Sequence, residues 1–210
     1  MYGQGVVGIA NMACVCQADK KERVLGIPLL LHACCGPCSL EPVRLLREEG
    51  FEPTICWVNP NIQPEEEYNH RLTTLQDWAA QEGIPVLVGP CDRQMWEKGC
   101  SPLARDRMKR CRVCYSIRLD GACRVAVEHG FKYIATTLAV SPYQLLDICN
   151  AQLERLAKKY DLIAVPRDFT QYYPQATKRS RELGMYRQNY CGCRFSALEA
   201  SLDRAKRHCD

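Results

Sequence analysis

No apolar run in this chain approaches the roughly 20 residues that a membrane helix needs, so no span is expected. The opening residues, Met1 to Asn11, are Gly-rich and uncharged. They lack the basic segment and long apolar stretch of a secretion signal. A complete P-loop and a G-x-G-x-x-G fingerprint are both missing, which removes two common phosphate cradles. No Ser–His–Asp grouping or carboxylate pair stands out. Histidine is scarce, and His32, His70, His129 and His208 are too far apart in sequence for a helical metal pair. No internal repeat, long linker or low-complexity tract interrupts the chain.

Cysteine is the opposite case, with 15 in 210 residues. A disulfide-dense secreted domain is normally smaller and carries a signal peptide, so the expected setting is the reducing cytoplasm. There, clustered cysteines act more often as metal ligands or redox groups than as bridges. Composition is otherwise that of a soluble globular protein, with 47% hydrophobic and 25% charged residues. A net charge of +4 permits a nucleic-acid partner without requiring one.

Residues 1–26 read as an N-terminal extension carrying Cys14 and Cys16, and residues 27–210 as a single α/β domain. Short apolar runs at 28–33, 53–58, 85–88, 133–137 and 162–165 have the character of strands buried on both faces. Helical spacing over 40–49, 64–82, 111–129, 142–159, 176–186 and 195–208 lies between and after them. Alternation of this kind implies a doubly wound parallel sheet with right-handed crossovers. Ligands in such sheets bind at the carboxyl ends of the strands. Those ends hold Cys34, Cys35 and Cys38, then Asn59 and Asn61, then Cys91 and Asp92.

Three cysteine groups carry the chemistry. Adjacent Cys34 and Cys35 do not pair easily with each other, but they can present two thiolates from one turn. Cys35-Gly36-Pro37-Cys38 also has dithiol-exchange spacing ahead of a helix, whose N-terminus favours thiolate. Metal ligation, dithiol exchange and simple burial all remain open for this group. Cys111 and Cys114 form a second pair, and two such pairs can close a four-thiolate site for zinc or [4Fe–4S]. Placement at the mouth of a parallel sheet favours a functional cluster over structural zinc. Cys191-Gly192-Cys193 can form a small strained disulfide ring, easily reduced, or supply further ligands. Cys56, Cys91, Cys100, Cys123, Cys149 and Cys209 stand alone and read as packed thiols. His32 reads as a buried, hydrogen-bonded histidine. The basic runs 105–112 and 178–181 adjoin cysteine pairs and suit phosphate, with Tyr172, Tyr173, Tyr186 and Tyr190 available to stack on a base.

Six segments together resemble the cobalamin-independent epoxyqueuosine reductase family. They are LLLHACCGPCS at 29–39, NPNIQPEEEYNHR at 59–71, CDRQMW at 91–96, RCRVCYSIRL at 110–119, TTLAVSPY at 136–143 and YRQNYCGCRFS at 186–196. The resemblance implies an adenine-nucleotide hydrolase-like fold and reduction of the epoxide of epoxyqueuosine in tRNA, giving queuosine. It implies a [4Fe–4S] cluster on Cys34, Cys35, Cys111 and Cys114, and a redox-active dithiol at Cys191 and Cys193. It also implies an additional mononuclear iron, for which Cys38, Asp92 and the C-x-C thiols are candidates. Asp92 joins Cys191 and Cys193 as a candidate catalytic residue. The partners implied are tRNA carrying the queuosine precursor and an unidentified electron donor. The chain departs from the family pattern at Gln144 and at Thr170-Gln171, where lysines are common. If those lysines meet tRNA phosphates, this chain either grips RNA differently or prefers another substrate form. Competing readings are a tRNA sulfur-insertion enzyme bearing a cluster, a zinc-stabilised RNA-binding module and a general dithiol reductase.

Overall fold

The structure, a computed structural model, describes residues 26–207. Most of the expected extension, with Cys14 and Cys16, lies outside the described residues, as do His208 and Cys209. Five parallel strands form one sheet in the order β3-β2-β1-β4-β5. They are β1 (Ile27–His32), β2 (Phe51–Trp57), β3 (Val86–Val88), β4 (Tyr133–Thr136) and β5 (Ile163–Ala164). Seven α-helices connect and cover them: α1 (Leu40–Glu48), α2 (Glu65–Gln81), α3 (Arg93–Cys100), α4 (Arg107–Glu128), α5 (Leu146–Lys159), α6 (Tyr173–Glu182) and α7 (Arg194–Arg207). No helix among the described residues is long and apolar enough to cross a membrane.

The period of two along β1 divides the core. Leu29 and Leu31 face one layer, with Val43 and Leu46 of α1, Leu75 and Trp78 of α2 and Ala176 of α6. Leu30 faces the other, with Tyr115 and Leu119 of α4 and Leu153 and Leu156 of α5. Both faces of the central strand are therefore buried, which is why it reads as an unbroken apolar run.

All five expected strands are present, and the differences lie at helices. Helix α3 was not anticipated. Asp92 caps it, accepting the Met95 N–H at 2.8 Å, and Trp96 and Cys100, four apart, bury its inner face. Helix α4 starts earlier than its apolar pattern because Asp106 caps it at Lys109 N–H. Helix α5 starts later, since residues 142–145 form a turn. Helix α6 begins at Tyr173 and ends before Gly184, whose φ is 62°.

Leu31 is wholly buried at the sheet centre. Leu31→Ala is expected to cost about 2–5 kcal/mol, read by urea denaturation under anaerobic conditions. A loss below about 1 kcal/mol would contradict that packing.

Candidate active site

The strand order reverses between β1 and β4: β1 continues towards β2 through α1, and β4 towards β5 through α5. This is the switch point at which doubly wound sheets bind ligands. The last paired residues there are His32 and Thr136. Just beyond, Cys34 N–H donates to Thr137 Oγ1 at 3.0 Å, and that oxygen lies 3.3 Å from Cys34 Sγ. A 3-10 turn at Pro37–Ser39 leads into α1, and Ser39 Oγ ties back to the Cys35 carbonyl. The turn gathers the sulfurs of Cys34, Cys35 and Cys38 within 4.8 Å of one another. Among the described residues they are the one such group of three or more ligand atoms.

Three thiols this close share their protons unequally. The Cys35 and Cys38 thiols donate to Cys34 and hold it well below the usual thiol range, with help from the Arg118 charge and the Thr137 hydroxyl. Cys35 is pushed up to about 12, chiefly because it donates to Cys34. Cys38 is raised for the same reason. The three sulfurs are placed where they could hold a metal ion, and Cys34 is the one whose neighbours favour its charged form. His32, fully buried, bonds Thr136 Oγ1 and the Val58 carbonyl at 2.9 and 3.1 Å. Burial drives its pKa to about 3, so it is a neutral core residue, as read from the sequence.

Helix α4 supplies the second group. Cys111, Cys114 and Arg118 recur at spacings of three and four, on one helical face. Cys114 is drawn down to about 6, first by a hydrogen bond from Cys100 and also by Arg118. Burial pushes Cys111 up to about 12, with the nearby Cys191 and Cys114 adding to the rise.

The third group is held from below by Arg71 of α2, which is itself buried. Its Nη1 donates to the Cys191 carbonyl at 3.0 Å and its Nη2 to the Tyr190 carbonyl at 3.4 Å. Its Nε pairs with Glu67 at 2.6 Å, and its guanidinium stacks on the Tyr190 ring. Gln63 N–H bonds the Gly192 carbonyl. Gly192 has a φ of 137°, and a Cβ there would meet Ile62 Cγ1 at 3.0 Å and Asn61 Nδ2 at 3.1 Å. Only glycine suits that position. Burial pushes Cys191 up to about 11, against the Arg118 charge.

Arg118 links the groups. Burial opposes its charge, but Cys114, Cys191 and Cys34 outweigh that and raise its pKa. Arg118 thus feels the charge of thiols from all three groups, and its bond to Asn59, which in turn bonds the Ala33 carbonyl, ties it to the residue before Cys34. All twelve cysteines among the described residues are free.

Other expected residues fall differently. Cys91 and Asp92 are exposed beyond the edge strand β3, with Asp92 serving as a helix cap. Cys100, read as a packed thiol, lies with Trp96, Cys114 and Cys193 in a small buried cluster. Gln144, a departure from the family pattern, is half-buried and turned towards Tyr115 and Cys191. Its Oε1 accepts from Tyr115 OH at 2.7 Å and lies 3.8 Å from Cys191 Sγ. Asp168 accepts from Thr170 N–H and Oγ1, a local turn. The basic runs are partly structural. Arg110 is buried against Glu199 and the Ala104 carbonyl, Arg107 bonds the Tyr143 carbonyl, and Arg179 pairs with Glu41 and Glu82. A small cleft beside Cys38 is lined by Val140, Tyr173, Thr177, Arg187 and Gln188. Tyr143 stands 70% exposed, its ring edge-on to Tyr173 at 6.3 Å. Sequence reading missed Arg118, whose signal was its place four residues after Cys114 on a helix, whereas Cys100 is the packed thiol expected.

Comparison with known proteins agrees with this geometry. The family model for epoxyqueuosine reductase QueH matches residues 29–199. The epoxyqueuosine reductase QueH of Dehalococcoides mccartyi is 30% identical over 171 residues, covering 81% of this chain and 93% of that protein. That of Histophilus somni is 35% identical over 183 residues, covering 82% and 73%. That of Thermotoga maritima is 30% identical over 192 residues, covering 86% and 98%. Two solved structures share the fold at 14% identity. A predicted subunit of tRNA methyltransferase from Methanocaldococcus jannaschii has a TM-score of 0.54, covering 74% of this chain and 75% of its own. The U34-tRNA thiolase NcsA from Methanococcus maripaludis, solved with its [4Fe–4S] cluster, has a TM-score of 0.53, covering 88% and 68%. The fold is the expected doubly wound α/β, adenine-nucleotide hydrolase-like architecture.

Replacing Gly192 forces an L-residue into a conformation that costs about 1–3 kcal/mol. Gly192→Ala is therefore expected to lower stability by about that amount, read by thermal melts. An unchanged melting temperature would mean that the loop relaxes freely.

Proposed function

Because the chain belongs to the epoxyqueuosine reductase QueH family, we infer that it reduces the epoxide of epoxyqueuosine in tRNA to queuosine, the last step in making that nucleoside. The catalytic unit is residues 27–210. The observation that carries the reading is the gathering of the Cys34, Cys35 and Cys38 sulfurs within 4.8 Å of one another at the sheet's switch point, to which α4, the helix of Cys111 and Cys114, is tied through Arg118, Asn59 and the Ala33 carbonyl.

A sulfur-rich, anionic cofactor fits the residues present. Cys34 is already biased to thiolate by its neighbours. Arg118 carries two buried nitrogens, Nε and Nη1, that meet no acceptor in hydrogen-bond geometry, and such atoms are costly unless something accepts from them. Cys34, Cys35, Cys111 and Cys114 would hold a [4Fe–4S] cluster, which supplies electrons one at a time. Cys38 is the spare thiol of its turn. With the C-x-C thiols it is the candidate for an additional iron. Asp92 is committed to capping α3 and has no part in this reading.

The electron balance suits the dithiol. Removing the epoxide oxygen as water and leaving a carbon–carbon double bond consumes two electrons and two protons. Closing Cys191 and Cys193 into a disulfide releases two electrons and two protons. One dithiol therefore balances one turnover, and an external donor must then restore it. Arg71 fixes the carbonyls of Tyr190 and Cys191, so the thiols keep their place while their bonding changes.

The test uses a bacterial host lacking its own epoxyqueuosine reductase, with tRNA nucleosides analysed by mass spectrometry. Expression of this chain is expected to convert epoxyqueuosine to queuosine. Cys34→Ser should lose both iron and conversion. Cys191→Ser and Cys193→Ser should keep the cluster's visible absorption and abolish conversion. Full conversion by both C-x-C variants would remove the dithiol from the mechanism, and persistent epoxyqueuosine with iron-loaded wild-type protein would overturn the substrate assignment.

A further inference from the structure

The cysteine site contains a group that the reaction balance above does not use. Arg118 lies on α4, only 1% exposed, on the helix that also gives Tyr115, Leu119, Ala122 and Cys123 to the apolar layer. One of its nitrogens, Nη2, donates to Asn59 Oδ1, and Asn59 Nδ2 donates in turn to the Ala33 carbonyl, one residue before Cys34. The clamp thus joins α4 to the ends of β1 and β2. The remaining nitrogens, Nε and Nη1, meet no acceptor in hydrogen-bond geometry, although the guanidinium is near enough to Cys114 to help lower its pKa. None of the ion pairs among the described residues involves Arg118, and the groups acting most strongly on it are the thiols of Cys114, Cys191 and Cys34.

A guanidinium does not escape this cost by losing its proton, because arginine stays charged in proteins. A buried, unpaired cation costs several kcal/mol unless an anion completes it. Here the surroundings offer sulfur. Hydrogen bonds to sulfur and nearby positive charge both favour the reduced, more negative form of an iron–sulfur group, and so raise its reduction potential. We propose that Arg118 is a positioning residue that sets the reduction potential of the iron–sulfur group, acting as its internal counter-charge with Asn59 as the clamp that leaves two donor nitrogens, Nε and Nη1, for sulfur. This rests on the cofactor assignment above. It assigns to Arg118 neither ligation nor proton transfer.

The experiment is an anaerobic redox titration of the full chain, loaded with iron and sulfide and followed by the cluster's visible absorption and by the spin resonance of its reduced form. Iron per chain is measured alongside. Arg118→Gln is expected to lower the one-electron reduction equilibrium constant at least tenfold, about 59 mV, at unchanged iron content. Arg118→Lys, which keeps the charge, should recover most of that shift. Equal potentials in wild type and Arg118→Gln, at equal iron content, would show that Arg118 only packs. Should Arg118→Gln fail to hold iron, Arg118→Met, apolar and of similar length, is read by the same criterion. If neither charge-free variant holds iron, Arg118→Lys decides. Iron retained there supports the counter-charge, whereas iron lost with an intact circular dichroism spectrum overturns it. Wild-type chain that holds no redox-active cluster would instead overturn the cofactor assignment itself, a different result from a cluster whose potential ignores position 118.

Discussion

Asn59 stands between two demands. Its amide nitrogen serves the Ala33 carbonyl at the end of β1, and its oxygen serves Arg118 on α4. That chain of two hydrogen bonds ties the two central strands to the helix that carries Cys111 and Cys114. It also fixes the guanidinium where the charges of Cys114, Cys191 and Cys34 reach it. Removing either partner would leave a buried polar atom with nothing to bond, which costs more than the bond itself contributes. The site's shape and its charge are thus set by one connection.

The cysteines divide by the work their surroundings impose. Cys56, Cys123 and Cys149 sit in the apolar layer, and burial raises each of them to about 12, where they stay protonated. Cys34 and Cys114 go the other way, because neighbouring thiols donate to them and Arg118 lies near. One amino acid therefore serves here as an inert hydrophobe and as a prepared ligand. Its hydrogen-bond partners, more than its degree of burial, separate the two uses.

Much of this was legible in the chain itself. The apolar runs around Leu30, Ile55, Leu87 and Ile134 had the composition of strands buried on both faces, and their alternation with helical spacing implied the parallel sheet. The adjacent cysteines at 34 and 35 fell at the end of the first run, which placed them at the ligand-binding edge. What escaped was set by tertiary contacts. Helix α3 is eight residues long, and Trp96 and Cys100 alone bury its inner face, too short a signal to separate from a loop. Gln144 looked like a surface departure, yet Tyr115 pulls it inward to Cys191. The run at 105–112 looked like a phosphate-binding face, but Arg110 turns inward and only its neighbours meet solvent.

Arg110 gives helix α7 a meaning beyond its place at the end of the described chain. It reaches Glu199 and lies 5.0 Å from the Phe195 ring, while Phe195 packs near Trp96 and Arg194 bonds Ser101 and Glu97. These contacts lay the helix like a shutter over Cys100, Cys114 and Cys193. The opposite flank, beside Cys38, is walled by a 3-10 turn and the residues around Arg187. Helix α7 therefore covers Cys100, Cys114 and Cys193 only through side-chain contacts to α3, α4 and the turn between them, and loosening those contacts would uncover the three thiols together.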